Sequence, residues 1–155
     1  MTSKSFITVL TIDASTELRV QNRKQFSSTE TLHQLLGDRV TLKSSVNRSS
    51  QYSERSLVLT FREGVGSGTY TVGDINSPFS AINYVERGIS SLAGGSAEIV
   101  YPAIEGSIKV EASPTADMTR YHFQLEVRVK HDISGTQLTV EGTSDVDLIT
   151  TRFTP

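Results

Sequence analysis

A strict alternation of apolar and polar residues in YHFQLEVRVK, residues 121–130, is the feature that most constrains the fold of this chain. Side chains alternate between the two faces of a strand, so the two classes would point in opposite directions. One apolar and one polar face is typical of an antiparallel sheet with one face in water, and the segment therefore predicts a half-buried antiparallel strand. Its apolar members are Tyr121, Phe123, Leu125, Val127 and Val129.

A second alternating segment, residues 137–149, follows after the turn-forming residues HDISGT. Two alternating segments joined by a short polar connection predict a β-hairpin. Gly142 leaves the inward face of the second strand thin at its middle, which is typical of a bend, a bulge or a close neighbour.

The charges of the hairpin predict how its two strands are aligned. A register with Val129 opposite Leu138 would place Glu126 against Glu141. Like charges directly opposite each other are destabilising. We therefore expect the other register, in which Val129 lies opposite Val140.

Other segments have the composition of short strands separated by turn residues. Many short antiparallel strands separated by turns are typical of closed barrels and of two-sheet sandwiches. We therefore predict an all-β fold, an antiparallel β-barrel or β-sandwich of about 8–10 short strands, and expect residues 1–155 to form one domain. The further segments are residues 6–12, 17–21, 39–44, 56–62, 68–72, 81–86, 98–101 and 105–112.

One short helix is predicted near residues 28–36. Ser27 and Glu30 have the spacing of a capping box, in which each side chain binds a backbone N–H at the start of a helix. The leucines that follow form a narrow apolar stripe, and Gly37 is well placed to end the helix.

Three glycines spaced by two, Gly64, Gly66 and Gly68, raise the question of a phosphate-binding loop. Dinucleotide-binding loops require a different glycine spacing and a following helix, and Walker loops require a Lys-Ser/Thr pair; both are missing here. We interpret the segment as a turn that joins residues 56–62 and 68–72 in a hairpin.

Composition excludes several classes of site. The chain has no cysteine, which removes disulfides and thiolate chemistry. Its formal net charge is −2, and no dense basic face of the kind that binds nucleic acid is visible. The apolar stretch at residues 6–12 is far too short to span a membrane, and we interpret it as a first strand. We therefore expect a cytoplasmic protein without membrane insertion.

The three histidines do not converge on one site. His122 and His131 are separated by nine residues of strand and turn, roughly 30 Å at about 3.3 Å per residue, and His33 lies elsewhere. His122 is expected to contact Asp145 or Asp147 on the neighbouring strand. We assign no catalytic residue, no metal site and no cofactor.

Aromatic residues provide the remaining candidates for binding. In a barrel, an interior lined by Tyr70, Tyr101, Phe123 and Leu125 could hold a small apolar ligand. A second set lies near predicted loops, where an aromatic ring is accessible to a partner. That set is Tyr52, Phe79 and Tyr84.

Three functions follow from these observations. The first is a non-enzymatic binding or interaction module with an unknown protein partner, as one component of a larger assembly; self-association stays open. The second is a carrier of a small apolar ligand in a lipocalin-like barrel, although the chain has no tryptophan and hence no Gly-x-Trp signature of that family. The third is an enzyme, which would need His33 or His122 bonded to a carboxylate inside a pocket.

Overall fold

The computed structural model describes residues 8–12, 14–47, 53–90 and 95–149. These residues form eleven β-strands and no helix. The strands are β1 (Thr8–Ile12), β2 (Ala14–Val20), β3 (Phe26–Ser28), β4 (Glu30–Leu36), β5 (Arg39–Val46), β6 (Arg55–Arg62), β7 (Gly68–Thr71), β8 (Phe79–Ser90), β9 (Gly95–Pro114), β10 (Met118–Lys130) and β11 (Gln137–Ile149).

All eleven strands belong to one antiparallel sheet that curls into a nearly closed barrel. Their order is β1-β4-β5-β6-β8-β9-β10-β11-β2-β3, and β7 pairs with β9 beside this path. β1 pairs with β4 and β2 pairs with β11, while a single residue separates Ile12 from Ala14. The chain itself therefore links the two ends of the sheet. The prediction of an antiparallel all-β fold is confirmed, in its barrel form.

Buried hydroxyl groups lie where the two ends of the sheet meet. The Thr16 hydroxyl on β2 donates to Ser44 on β5 at 3.0 Å and lies 2.7 Å from the hydroxyl of Ser144 on β11. Ser44 lies 3.0 Å from Thr31 on β4. All four side chains are buried. Side-chain hydrogen bonds therefore satisfy these polar groups inside the barrel, as buried hydroxyls require.

Aromatic rings fill the centre of the barrel. The ring centroids of Phe61 and Phe79 lie 5.4 Å apart, and those of Phe61 and Phe123 lie 5.6 Å apart. Tyr121 stacks on Phe123 at 5.3 Å. These distances are typical of aromatic pairs in contact, so the interior is packed at this level. The inward face predicted for residues 121–130 is confirmed, since its five apolar side chains are all buried.

The predicted helix near residues 28–36 is wrong, because β4 occupies this segment. Its residues Thr31 and His33 are buried, which is the period of two expected of a strand. The Ser28 hydroxyl accepts the N–H of Glu30 at 3.1 Å and so stabilises the link between β3 and β4.

Gly37 likewise belongs to a turn. It has a φ of +63° in the two-residue connection between β4 and β5. Glycine is favoured at such a position in tight hairpins, where the backbone must adopt positive φ. The residues interpreted as the two ends of a helix are therefore the turn residues that border a strand.

The C-terminal hairpin is confirmed, but its predicted register is wrong. Val129 pairs with Leu138, and Glu126 lies directly opposite Glu141. The turn sets the register: the His131 N–H donates to the Thr136 carbonyl at 2.9 Å, whereas a shift of two residues would leave the same apolar face buried. One charge is compensated locally, since Arg19 of β2 lies 3.1 Å from Glu141.

The glycine-rich segment is a turn and a connection, but the hairpin predicted around it is wrong. β6 pairs with β5 and β8, whereas β7 has β9 as its only partner strand among the described residues. Gly64 has a φ of +79°, and Val65 is buried in the core. The chain here crosses from one part of the barrel wall to another instead of folding back on itself.

Candidate functional site

β9 exchanges one partner for another along the same edge, and this opens the barrel wall. It pairs with β8 as far as Pro102, which lies opposite Asn83. Proline has no N–H to donate, so the ladder with β8 ends there. Residues 107–110 of β9 pair with β7 instead. β8 therefore diverges from β9 where β7 begins to pair with it, and a wedge is left between β7 and β8.

The wedge contains a pocket of about 430 Å³, which we call the fork pocket. This volume lies within the usual range of ligand pockets, about 300–1,000 Å³. Its apolar lining includes Tyr70, Phe79, Ile82 and Ile108, and its polar lining includes Asp74 and Asn83.

Two residues from the sequence predictions meet at this pocket. Tyr70 was expected to line a ligand cavity and Phe79 to contact a partner, and their ring centroids lie 5.8 Å apart. Both are half-buried. The Tyr70 hydroxyl donates to the carbonyl of Gly66 at 2.7 Å, which holds its ring in place. The structure thus joins residues from the two predicted sets in a single surface feature, and their roles stay predictions.

Two exposed apolar residues, Ile75 and Ile104, directly follow Asp74 and Ala103, which line the fork pocket. Ile75, in the loop between β7 and β8, is 95% exposed. Ile104 is 44% exposed and lies on β9 between the segments that pair with β8 and β7. We call the fork pocket together with these two side chains the fork surface. Exposed apolar residues that are chain neighbours of a concave site are a feature of many interaction surfaces.

The other predicted ligand residues lie in the packed core. Phe123 and Leu125 are buried among the strands of the barrel. Tyr101 is also buried, and its ring lies 5.8 Å from that of Tyr84 and 5.6 Å from that of His131. Ligand contact by these side chains stays a prediction.

Of the predicted loop aromatics, Tyr84 is fully buried, so the expectation that its ring is accessible near a loop is wrong. It faces the interior because β8 continues on both sides of it, from residue 79 to residue 90. Tyr52 lies outside the described residues.

Tyr84 belongs to a polar network that ties the β2–β3 turn to β8. Its hydroxyl donates to Glu86 at 2.7 Å and accepts from Arg55 at 2.7 Å. Arg23 in the turn donates to both oxygens of the Glu86 carboxylate, at 2.7 and 3.1 Å. Burial raises the pKa of Tyr84 above its usual value, so the phenol stays protonated and can donate.

The charges in this network stabilise each other. Burial alone would raise the pKa of Glu86, but the hydrogen bonds from Arg23 and Tyr84 outweigh it and lower that pKa below its usual value. The same contact with Glu86 raises the pKa of Arg23. Both groups are therefore ionised at neutral pH, and the network acts as a structural clamp.

His33 is the buried histidine of the described residues, with 7% of its surface exposed. Its Nδ1 atom is buried without a hydrogen-bond partner. Burial lowers the pKa of His33, with a smaller opposing effect from the carboxylate of Glu63. The neutral imidazole is therefore the form that suits the folded barrel.

The predicted contact of His122 is confirmed. Its Nδ1 atom lies 2.5 Å from a carboxylate oxygen of Asp145, and Arg120 pairs with Asp147 at 2.9 Å on the same outer face. His122 and Asp145 are both partly exposed on this open face. Within the described ranges, no group of three His, Asp or Glu side chains is arranged to hold a metal ion.

A larger, polar groove of about 870 Å³ runs over the outer face of the sheet. Both charge signs line it, with Glu17, Arg19 and Lys109 among the lining residues. Several of its charged side chains have partners: Arg19 pairs with Glu141, and Glu17 accepts the hydroxyl of Ser27 at 2.6 Å. We interpret this groove as a solvated outer face, since charges of both signs are normal there.

Comparison with protein-family models, with curated proteins and with solved structures gives no match. In the part of the chain that the structure describes, there is no helix of the length and apolarity needed to cross a bilayer. The fork surface is therefore argued from its own geometry.

Sequence reasoning missed Ile75, Ile104 and Pro102 as parts of a site. One signal was present: Ile75 is a lone large apolar residue within the turn-forming stretch GDINSP. The change of partner at Pro102 depends on strand pairing that only the folded chain reveals.

Proposed function

We propose that this protein is a non-enzymatic interaction module that binds a protein partner through the fork surface. The proposal rests on one observation above all: Ile75 is 95% exposed and directly follows Asp74, which lines a pocket that also contains Tyr70 and Phe79. A large apolar side chain in such a place is stabilised when a partner removes it from water.

The floor of the pocket supports this interpretation. Phe79 and Tyr70 contact each other at the surface, and Phe79 also contacts Phe61 in the core. Aromatic groups held rigidly in this way lose little conformational entropy on binding, and interface hot spots are enriched in them. A partner that inserts an apolar side chain here would meet a preformed site.

Native mass spectrometry of the protein purified gently from its own cells tests the proposal. The wild-type chain is expected to carry a second protein. The variant Ile75→Asp is expected to lose that partner, because a charge replaces the exposed apolar group. This variant should retain the wild-type melting temperature, since Ile75 is a surface residue.

The chain provides a matched control. Asp132 and Ile133, in the β10–β11 turn, repeat the dipeptide of Asp74 and Ile75 in the loop at the fork, and Ile133 is 91% exposed. Ile133→Asp should keep the partner. Equal loss of the partner from both variants, or retention by both, contradicts the proposal.

A second candidate function is the binding of a small apolar ligand in the fork pocket. The volume of about 430 Å³ favours it, because this exceeds the lower limit of about 300 Å³ for such sites. The same mass spectrum separates the two functions. An adduct of a few hundred daltons on a monomer, without a second protein, would support the ligand in place of the partner.

A further inference from the structure

We infer that the partner binds the fork surface as an extended strand, which pairs with the outer edge of β7 and places an apolar side chain in the fork pocket. The inference rests on the proposed function and adds the form and the chemistry of the partner segment.

The backbone of β7 presents unpaired groups to the wedge. The N–H of Val72 donates to Gly106 on β9 at 2.9 Å. Hydrogen-bonding direction alternates along an antiparallel pair, so the main-chain groups of Thr69 and Thr71 point away from β9. The Thr71 carbonyl accepts from Asp74 at 3.2 Å, whereas β7 pairs with no second strand among the described residues. The N–H and C=O of Thr69 and the N–H of Thr71 are thus open to a partner.

The opposite wall of the wedge is also a strand edge. Among the described residues, positions 79–82 of β8 pair only with β6, because the ladder between β8 and β9 ends at Pro102. Unpaired edges are templates for a further strand. Main-chain hydrogen bonds then provide affinity, and pockets for alternate side chains provide specificity.

The lining of the fork pocket defines the side chains of that segment. Phe79, Tyr70 and Ile108 form an apolar floor. Asp74 is the charged member of the lining, and its carboxylate is held in place by the N–H of Asn76 at 3.0 Å. Charge complementarity therefore favours a cation beside the apolar group. The expected segment is extended and carries an aliphatic or aromatic side chain next to a lysine or arginine.

A library of random heptapeptides displayed on phage, panned against the full chain, provides the probe. Enriched peptides are expected to contain the apolar–basic pair. One of them, made synthetically, should bind the wild-type chain and should slow amide hydrogen exchange at Thr69 and Thr71 at least tenfold. Asp74→Asn should weaken binding severalfold at low salt, while Asp132→Asn, the matched control, should leave it unchanged.

Backbone methylation of the peptide tests the strand itself. N-methylation of the amides that face β7 should weaken binding about tenfold per blocked hydrogen bond, whereas methylation of the alternate amides should change it less than about threefold. Equal effects of both methylation patterns would overturn the inference. It would also be overturned if panning enriched no peptide at all.

These outcomes are separate from those of the proposed function. In one outcome, Ile75→Asp loses the captured protein, Ile133→Asp keeps it, and no methylation-sensitive peptide binds. The protein is then an interaction module, but its partner does not bind as an added strand. If Ile75→Asp and Ile133→Asp behave alike, the docking surface itself is wrong. If the captured protein is a second copy of this chain, the inference that a different protein supplies the segment with a lysine or arginine is wrong.

Discussion

Glu126 and Glu141 lie directly opposite each other on β10 and β11, and Arg19 on β2 is bonded to Glu141 alone. Among the described residues, Glu126 forms no ion pair. The register that creates this repulsion also places Leu125 opposite Gly142, beneath a closely packed third strand. The turn at residues 131–136, closed by the hydrogen bond from the His131 N–H to the Thr136 carbonyl, determines the alignment, and the outer charges tolerate it.

Relief of this repulsion should stabilise the barrel. Glu126→Gln removes one of two facing carboxylates, so we expect the free energy of unfolding to rise by about 0.5 kcal/mol in urea at low salt. The gain should vanish in 1 M NaCl, where the screening length is about 3 Å. The control Glu105→Gln loses the ion pair with Arg128 and should not gain stability. A loss of stability in Glu126→Gln would contradict the account.

Gly142 is required by the close approach of β2. Its φ is +152°, and a Cβ there would collide with the carbonyl oxygen of Glu17. Gly142→Ala should therefore lower the free energy of unfolding by about 3 kcal/mol or more, through strain and backbone displacement. Gly135 also has positive φ, +74°, but no atom lies within 4 Å of its Cβ position. Gly135→Ala should lower it by only about 1 kcal/mol. Equal losses, measured by urea unfolding, would contradict the steric explanation.

The burial of His33 predicts acid sensitivity. The pKa of His33 is lowered in the folded state, so between its unfolded and folded pKa values the unfolded chain binds more protons. Stability from this group is present above the unfolded value of about 6.5 and falls as the pH drops through the folded pKa, by at most about 1.4 kcal/mol per pH unit.

Chemical unfolding between pH 7.5 and 5 measures this effect. His33→Gln should flatten the decline relative to the wild type. His131→Gln, which removes another histidine but retains His33, should leave the decline in place. An unchanged slope in His33→Gln would show that other groups cause the acid sensitivity.

The clamp around Glu86 should contribute more to stability than a surface ion pair. Glu86→Gln removes charge-assisted bonds from Arg23 and leaves a buried network incomplete, so we expect a loss of about 1–3 kcal/mol. Asp147→Asn breaks the more exposed pair with Arg120 and should change the free energy of unfolding by less than about 1 kcal/mol. Thermal unfolding of both variants at neutral pH compares them directly.

Local patterns predicted the parts of the fold that are determined by periodicity. The alternation of residues 121–130 identified the buried face of β10, and the following turn identified the hairpin with β11. The same logic failed at residues 28–36. There, buried Thr31 and His33 replace the apolar residues that usually mark the inner face of a strand, and the leucines suggested a helix.

The candidate site was predictable only in fragments. Tyr70 and Phe79 were selected separately for being aromatic, and their proximity depends on β7 replacing β8 as the partner of β9. That exchange is a non-local event, because Pro102 ends one ladder while residues 107–110 begin another. Ile75 lies in the loop between β7 and β8, and a single sequence contains no direct signal for its exposure.

The central claim, that a protein docks on the fork surface, is tested most directly by photo-cross-linking in living cells. A photoreactive phenylalanine analogue is placed at position 75 in one variant and at position 133 in the other. The account predicts a covalent adduct with one protein from position 75 and none from position 133. Equal cross-linking from both positions, or none from position 75, would contradict it.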